Sequence, residues 1–185
     1  QKEMLPKAES VDRFDQQAMA RAKTGAVLIL FYPDGHNQTL FPLIQRSVYA
    51  GAHSGQIALP GGKKDPGDPN TRFTAIREAE EEIGVYGDDI NISGKLTDLY
   101  VPVSNFLIQP YVGYLPYEPK MIPQYREVKE IIKTPLQVLF DPIQVYKIEI
   151  GSMQLKAPGF FYQQKIIWGA TAMILSELRE ILQYK

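Results

Sequence analysis

The sequence predicts an α+β fold, or an α/β/α sandwich on a mixed sheet. Short apolar runs rich in β-branched and aromatic residues recur along the chain, and two helical segments, 71–83 and 169–183, are separated by several of these runs. The 185 residues, 44% of them hydrophobic, suffice for one sizeable core. We expect an N-terminal helical extension, residues 1–23, packed on a domain formed by residues 24–185.

The first two strands are expected close to the N-terminus. An apolar run at 25–32 is followed by the turn signal Pro-Asp-Gly at 33–35 and by a second run at 39–48, which together indicate a hairpin or two adjacent strands. Proline cannot donate a backbone hydrogen bond to a sheet. Pro42 therefore places the second strand at an edge or at a bulge.

The rest of the chain alternates between the two helices and further strands. A Gly-rich loop leads into the helix at 71–83, and Gly84 is placed to end it in the left-handed conformation. A short amphipathic stretch at 126–133 ends at Pro135. The remaining strands are expected at 90–102, 107–115, 145–150 and 160–167, before the last helix at 169–183.

Composition excludes several kinds of site. The formal net charge is -1, so no overall basic field attracts nucleic acid or an anionic membrane, and no apolar run approaches the 18 or so residues of a membrane span. The chain has no Cys and two His, so a metal would be held mainly by oxygen, which favours Mg²⁺ or Mn²⁺. The absence of Cys and of a signal-peptide core at 1–14 predicts a cytoplasmic protein.

The helix at 71–83 has three carboxylates along one arc. Glu78, Glu81 and Glu82 stand at i, i+3 and i+4, where like charges repel one another. A helix face of this kind is usually only solvated. The apolar residues expected to bury the other side of the helix are Phe73, Ile76, Ala79 and Ile83, and the residues beside the carboxylates, Thr74 and Ala75, are small.

The loop before this helix makes a binding site the better interpretation. Gly61 and Gly62 leave a bare backbone carbonyl free to approach the acidic face. Arg77 can pair with a loop acid such as Asp68. We interpret this combination of a glycine loop, an acid, an arginine and three glutamates as an oxygen-lined site for a divalent cation. Such a site suits a substrate that carries phosphates.

The segment 77–85, R-E-A-E-E-E-I-G-V, resembles the R-E-U-x-E-E-x-G-U half of the Nudix box, in which U is apolar. The full box, G-x5-E-x7-R-E-U-x-E-E-x-G-U, is matched less well upstream. Five residues separate Gly62 from Asp68, which replaces the box Glu, and eight rather than seven precede Arg77. The partner of Arg77 is therefore left open between Asp68 and Asp65.

Further stretches resemble the coenzyme A pyrophosphatase-like branch of the Nudix superfamily. Residues 43–47, L-I-Q-R-S, and 53–62, H-S-G-Q-I-A-L-P-G-G, are similar to that branch's L-L-x-x-R-S strand and H-x-G-x-[VI]-x-F-P-G-G loop, with Leu59 in place of the usual Phe. Residues 127–136 and 167–172 resemble its later segments. The similarity covers about 25–182 and implies the Nudix fold.

The resemblance implies metal-dependent hydrolysis of the diphosphate bond in a nucleoside diphosphate linked to another moiety. Coenzyme A or a derivative is the preferred substrate, cut to phosphopantetheine and adenosine 3′,5′-bisphosphate. The catalytic residues would be Arg77, Glu78, Glu81 and Glu82, with Glu127 a candidate general base. Mg²⁺ or Mn²⁺ would be held by Gly61, Glu78, Glu81 and Glu82, and substrate by Arg46, Gly62 and Lys63.

Two alternatives stay open. A Nudix hydrolase of ADP-ribose, dinucleoside polyphosphates or nucleoside triphosphates keeps the chemistry and changes the substrate. A non-catalytic nucleotide-sensing Nudix domain is the alternative of another class, although such domains usually have eroded glutamates. The expected partner is a small-molecule diphosphate rather than nucleic acid or a membrane, and homodimers are common in the superfamily.

Overall fold

A computed structural model describes residue 4 and residues 16–47, 55–150 and 153–184 of the chain. Within the predicted N-terminal helix, 1–23, a helix is present at α1 (Gln16–Arg21), and a strand already begins at Lys23. The rest of that segment lies almost entirely outside the described residues, so the helical extension stays a prediction. None of the described helices has the length and apolar composition required to cross a membrane.

Eleven strands and two longer helices follow α1 in the described part of the chain. The helices are α2 (Thr71–Ile83) and α3 (Gly169–Gln183). The strands are β1 (Lys23–Pro33), β2 (Thr39–Arg46), β3 (Ile57–Ala58), β4 (Gly61–Lys63), β5 (Asn91–Lys95), β6 (Leu99–Val101), β7 (Phe106–Tyr114), β8 (Val128–Pro135), β9 (Gln144–Ile150), β10 (Met153–Tyr162) and β11 (Lys165–Trp168). The predicted α+β class is confirmed.

The strands form one large mixed sheet and one small antiparallel sheet. The large sheet has the order β3-β2-β1-β7-β5, with β4 paired to β1, β6 to β7 and β8 to β2. The pairing of β1 with β7 is parallel, from Lys23 beside Phe106 to Phe31 beside Tyr114, and the other pairings in this sheet are antiparallel. The small sheet has the order β11-β10-β9.

Strand β1 is covered on both faces, because its alternate side chains enter two different cores. Leu28 and Leu30 pack in one core with Ala79 of α2. Ile29 packs in the other core with Leu175 of α3. One helix therefore covers each face of the large sheet, which is the predicted α/β/α arrangement.

Four local expectations need correction. The strand expected at 160–167 is divided between the end of β10 and most of β11, because Gln163 and Gln164 form a turn with positive φ between the two strands. The strand expected at 90–102 is two strands, β5 and β6, which both pair with β7 and are separated by residues 96–98. The amphipathic stretch at 126–133 is largely strand β8. Pro42 lies in an interior strand, paired with Lys133 of β8, and the irregularity in β2 falls at Gln45/Arg46 instead. On the other side of β2, the pairings with β1 and β3 stop short of Pro42, so no described ladder there needs its missing donor.

Candidate active site

Helix α2 has the bounds that the sequence predicts, because both of its ends are capped. The Asn70 side chain accepts a hydrogen bond from the Phe73 N–H at 2.9 Å. Gly84 takes the left-handed conformation, with φ 72°, and its N–H donates to the Glu80 carbonyl. The two caps fix where the acidic residues of the helix stand relative to the glycine loop.

The buried face of α2 is rotated from the face that the sequence predicts. Phe73, expected in the core, is 47% exposed, and Ile76 is only partly buried. The buried residues of the helix are Thr74, Ala75, Ala79, Glu82 and Ile83. The small side chains allow the helix to lie close to β1 and β4, and this turns a glutamate inward and leaves the phenyl ring outside.

Two of the predicted glutamates converge on the glycine loop. The Gly61 N–H donates to Glu82 Oε2 at 2.8 Å, and Glu82 is only 2% exposed. The Glu78 carboxylate lies against Gly62 so closely that a Cβ placed there would be 2.5 Å from its carboxylate carbon. The acidic face is therefore not a solvated one at Glu78 and Glu82, whereas the side chain of Glu81 is 58% exposed.

Arg77 connects the acidic groups around the loop. Its guanidinium donates to Asp68 twice, at 3.0 and 3.1 Å, to Glu78 at 2.9 Å and to Glu81 at 3.0 Å. The side chain of Asp68 is 3% exposed, whereas Asp65 is 63% exposed and 3.9 Å away. The partner left open by the sequence is therefore Asp68, which accepts the bidentate hydrogen bond in spite of the inserted residue.

Thr74 is a supporting residue that the sequence did not single out. Its hydroxyl donates to Asp68 Oδ2 at 2.8 Å, and the residue is fully buried. One feature of the sequence could have identified it: Thr74 stands three residues before Arg77, so the two side chains lie on the same side of the helix. An acid that pairs with Arg77 therefore also lies near the Thr74 hydroxyl. Thr74 orients the carboxylate that in turn holds the arginine.

Burial and ion pairing shift the pKa values of these groups in opposite directions. The hydrogen bonds from Arg77 lower the pKa of Asp68 to about 2, and Asp68 in turn raises the pKa of Arg77. Burial raises the pKa of Glu78, although Arg77 opposes the shift. Burial also raises the pKa of Glu82 to about 7, against the attraction of Arg46 and the Gly61 N–H. When Glu78 and Glu82 are ionised, nearby positive charges and hydrogen-bond donors thus offset their negative charges only in part.

Arg46 and Glu127 are brought to the same loop by strand pairing. Arg46, at the end of β2, pairs with Val128 at the start of β8. The Arg46 guanidinium donates to the Gly61 carbonyl at 3.2 Å. Glu127, the residue before β8, is close enough to raise the pKa values of Glu78 and Glu82 by charge repulsion.

Lys63 and its neighbour Lys64 contribute less directly. The Lys63 side chain is exposed, and its backbone carbonyl accepts from Arg77 at 3.3 Å. Lys64 Nζ donates to the Asp68 carbonyl at 2.6 Å, so this lysine serves the loop itself. His53, part of the stretch that resembles the coenzyme A branch, lies outside the described residues.

The donor chemistry fits a hard divalent cation at Glu78 and Glu82, whose charges are undercompensated beside a backbone carbonyl. Glu81 fits as well, because Arg77 donates to its Oε2 alone and the side chain is largely exposed. Within the described ranges, no three acidic or histidine side chains are already grouped as a metal site. The Gly61 carbonyl and the Glu81 carboxylate each accept one hydrogen bond from an arginine, and each has a further lone pair with which it could bind a cation.

Replacing Asp68 by asparagine is expected to lower the free energy of unfolding at pH 7 by about 2 kcal/mol, because a buried ion pair with Arg77 is lost. The folded pKa of Asp68 lies below its unfolded value, so the loss is complete above about pH 4 and shrinks as the pH falls toward 2. Urea titrations at several pH values measure it. Asp65→Asn is the control, and an equal loss there would contradict the assignment.

Two neighbouring glycines are expected to respond differently to alanine. Gly62→Ala should keep its fold and lose activity, because the new methyl group meets only the end of the Glu78 side chain. Gly61→Ala should unfold more easily, by about 3 kcal/mol, because Gly61 has φ 152° and a Cβ would lie 2.6 Å from the Val27 Cα. Thermal unfolding and turnover separate the two effects. Gly67→Ala, which meets nothing within 4 Å, is the control, and a Gly62→Ala variant as active as this control would exclude crowding of Glu78 as the cause.

The NUDIX domain family model matches residues 22–139, which contain the glycine loop, α2 and Glu127. The chain belongs to the Nudix family. Proteins named uncharacterized Nudix hydrolase NudL are similar to it. The one from Pectobacterium atrosepticum is 34% identical over 74% of this chain and 71% of its own, and the one from Yersinia pestis is 30% identical over 95% and 88%. The protein is a Nudix hydrolase, and its resemblance to this superfamily is confirmed.

Solved structures show the same Nudix fold. A Nudix hydrolase from M. smegmatis, RenU, has a TM-score of 0.61 at 15% identity, covering 87% of this chain and 86% of its own. The NUDIX domain of Shewanella oneidensis NrtR, complexed with ADP ribose, has a TM-score of 0.60 at 18% identity, covering 97% of this chain and all of its own. The predicted Nudix fold is therefore confirmed.

Proposed function

We propose that this Nudix hydrolase cleaves the diphosphate bond of a nucleoside diphosphate linked to another moiety, with coenzyme A or a derivative as its preferred substrate. The convergence of Glu78 and Glu82 on the glycine loop carries the first part of the proposal. The buried carboxylate of Glu82 and the partly buried carboxylate of Glu78, with the cation Arg46 nearby, suit a site that takes up a metal together with an anionic substrate.

Nudix hydrolases generally need divalent metal ions, and here Mg²⁺ or Mn²⁺ would be held by Glu78, Glu82, Glu81 and the Gly61 carbonyl. Such an ion neutralises diphosphate charge and makes bound water more acidic. Arg77 would orient Glu78 and Glu81 rather than contact substrate, because each nitrogen of its guanidinium already donates to a protein oxygen.

The remaining roles fall to residues at the rim of the loop. Glu127 is the proposed general base, since its exposed carboxylate can accept a proton from water near Glu78 and Glu82. Arg46 is the proposed phosphate contact, because it is the cation beside the Gly61 carbonyl. Gly62 and Lys63 would border the substrate.

The preference for coenzyme A rests on the branch resemblance between Arg46 and Gly62. We expect coenzyme A to be cut with a higher kcat/KM than dephospho-coenzyme A, ADP-ribose or NADH. Arg46→Ala should lower the ratio of kcat/KM for coenzyme A to kcat/KM for dephospho-coenzyme A by about 10-fold. That factor corresponds to the loss of one charge-assisted hydrogen bond to the 3′-phosphate. The ratio cancels any general loss from the missing Arg46–Gly61 contact.

A substrate panel with Mg²⁺ and with Mn²⁺, read by product identity, tests the proposal. Lys63→Ala is the matched control, and a larger change in the ratio for that variant would move the 3′-phosphate contact from Arg46 to Lys63. ADP-ribose as the best substrate would overturn the coenzyme A assignment alone. Tight binding of a diphosphate compound without turnover would favour the nucleotide-sensing alternative. A cytoplasmic location stays a prediction.

A further inference from the structure

Strand β9 forms one edge of the small sheet in the described part of the chain. Strand β9 pairs with β10 alone among the described strands, in an unbroken antiparallel register from Gln144 beside Gly159 to Ile150 beside Met153. Its seven residues contain no proline and no bulge. Proteins usually protect such an edge from pairing with another chain by a proline, a bulge or a charged side chain, and of these devices β9 has only the charges of Lys147 and Glu149.

The exposed face of β9 has a charge pattern that its own sheet does not satisfy. Lys147 lies directly opposite Lys156 of β10, and like charges in that position are unfavourable. No ion pair of Lys147 is present among the described residues. Glu149, two positions further along the same face, has only the Gln154 amide opposite it, at 3.1 Å.

We propose that β9 pairs with β9 of a second copy of this chain, antiparallel and with the two-fold axis at Ile148. The two small sheets then become one sheet of six strands. Lys147 of each copy lies opposite Glu149 of the other, which gives two cross-strand ion pairs related by symmetry. The charges on β9 of a second copy therefore complement those on β9 of the first.

Symmetry leaves few other registers. A two-fold axis perpendicular to the sheet keeps each side chain on its own face, so the axis must pass through a residue and not between two residues. An axis at Lys147 or at Glu149 places that charge opposite its own copy. An axis at Tyr146 places Lys147 opposite Val145 and leaves both charges unpaired.

Charge reversal tests this register. We expect the wild type to dimerise in sedimentation velocity between about 1 and 100 µM. Lys147→Glu alone and Glu149→Lys alone should each weaken the dimer by at least about 10-fold, because both cross-strand pairs then join like charges. The double variant, with the two charges exchanged, should dimerise as the wild type does.

Mixing the two single variants is the sharper experiment. One copy then presents two acidic and the other two basic residues, so both pairs are satisfied and a heterodimer should form. Lys120→Glu has the same change in net charge as Lys147→Glu at an exposed site away from the edge, and mixed with Glu149→Lys it should give less heterodimer. Native mass spectrometry distinguishes the species by mass.

Three results would overturn the proposal. A wild type that stays monomeric over this range of concentration excludes the interface. A dimer that both single reversals leave intact uses another surface. Single variants that are folded and monomeric but give no heterodimer on mixing exclude the register at Ile148. Circular dichroism of each variant establishes that it is folded, and none of the altered residues belongs to the hydrolytic site.

Discussion

Glu82→Gln is expected to lower kcat by about two to three orders of magnitude while the protein stays folded. Glutamine keeps an oxygen that accepts the Gly61 N–H, so the contact between the helix and the glycine loop survives. The change removes a negative charge that is buried and poorly compensated, which leaves stability equal or higher. Turnover should therefore fall, while the midpoint of thermal unfolding stays the same or rises.

Glu80→Gln is the matched control for this variant. Glu80 stands on the same helix, exposed, and its carboxylate accepts the Gly87 N–H at 2.8 Å, which a glutamine can also do. We expect this control to turn over within about twofold of the wild type, because it changes helix charge without touching the glycine loop. Wild-type turnover by Glu82→Gln would remove Glu82 from the mechanism.

Chelation of divalent metal is expected to abolish hydrolysis, and added Mg²⁺ or Mn²⁺ to restore it. The physical reason is that Glu78 and Glu82 face each other's charge with too little compensation until a cation arrives. Added metal should also raise the thermal midpoint of the wild type more than that of Glu82→Gln. Full turnover in metal-free buffer containing EDTA would refute this mechanism, whichever substrate is used.

Local signals predicted the helix that bears the box and its neighbourhood well. Asn70, Gly84 and the spacing of the glutamates act within a few residues, so the sequence is enough to place α2 and to bring Gly61 near its acidic face. The helical wheel did not locate the buried side of α2, because Phe73 is exposed and Glu82 is buried. Which side of the helix is buried depends on its packing against β1 and β4, and the apolar pattern of the helix alone does not determine that packing.

Long-range pairing is the part that the sequence could not supply. Whether 145–150 and 160–167 join the central sheet or form a second one depends on contacts between distant segments, and here they belong to the small sheet. The position of Glu127 beside the glutamates likewise follows from the pairing of β8 with β2. Only the resemblance to the Nudix family pointed to Glu127 in advance.

The parallel pairing of β1 with β7 has a consequence for how the enzyme folds. Its partners lie about 80 residues apart, and the whole of the glycine loop and α2 is enclosed between them. Such a closure is slow, because the entropy of the enclosed chain is lost before any of these contacts form. During synthesis, the edge of β1 that pairs with β7 therefore stays unpaired until β7 has emerged from the ribosome. We therefore expect catalytic competence to appear only late in synthesis, and nascent chains that end before Phe106 to be prone to aggregation.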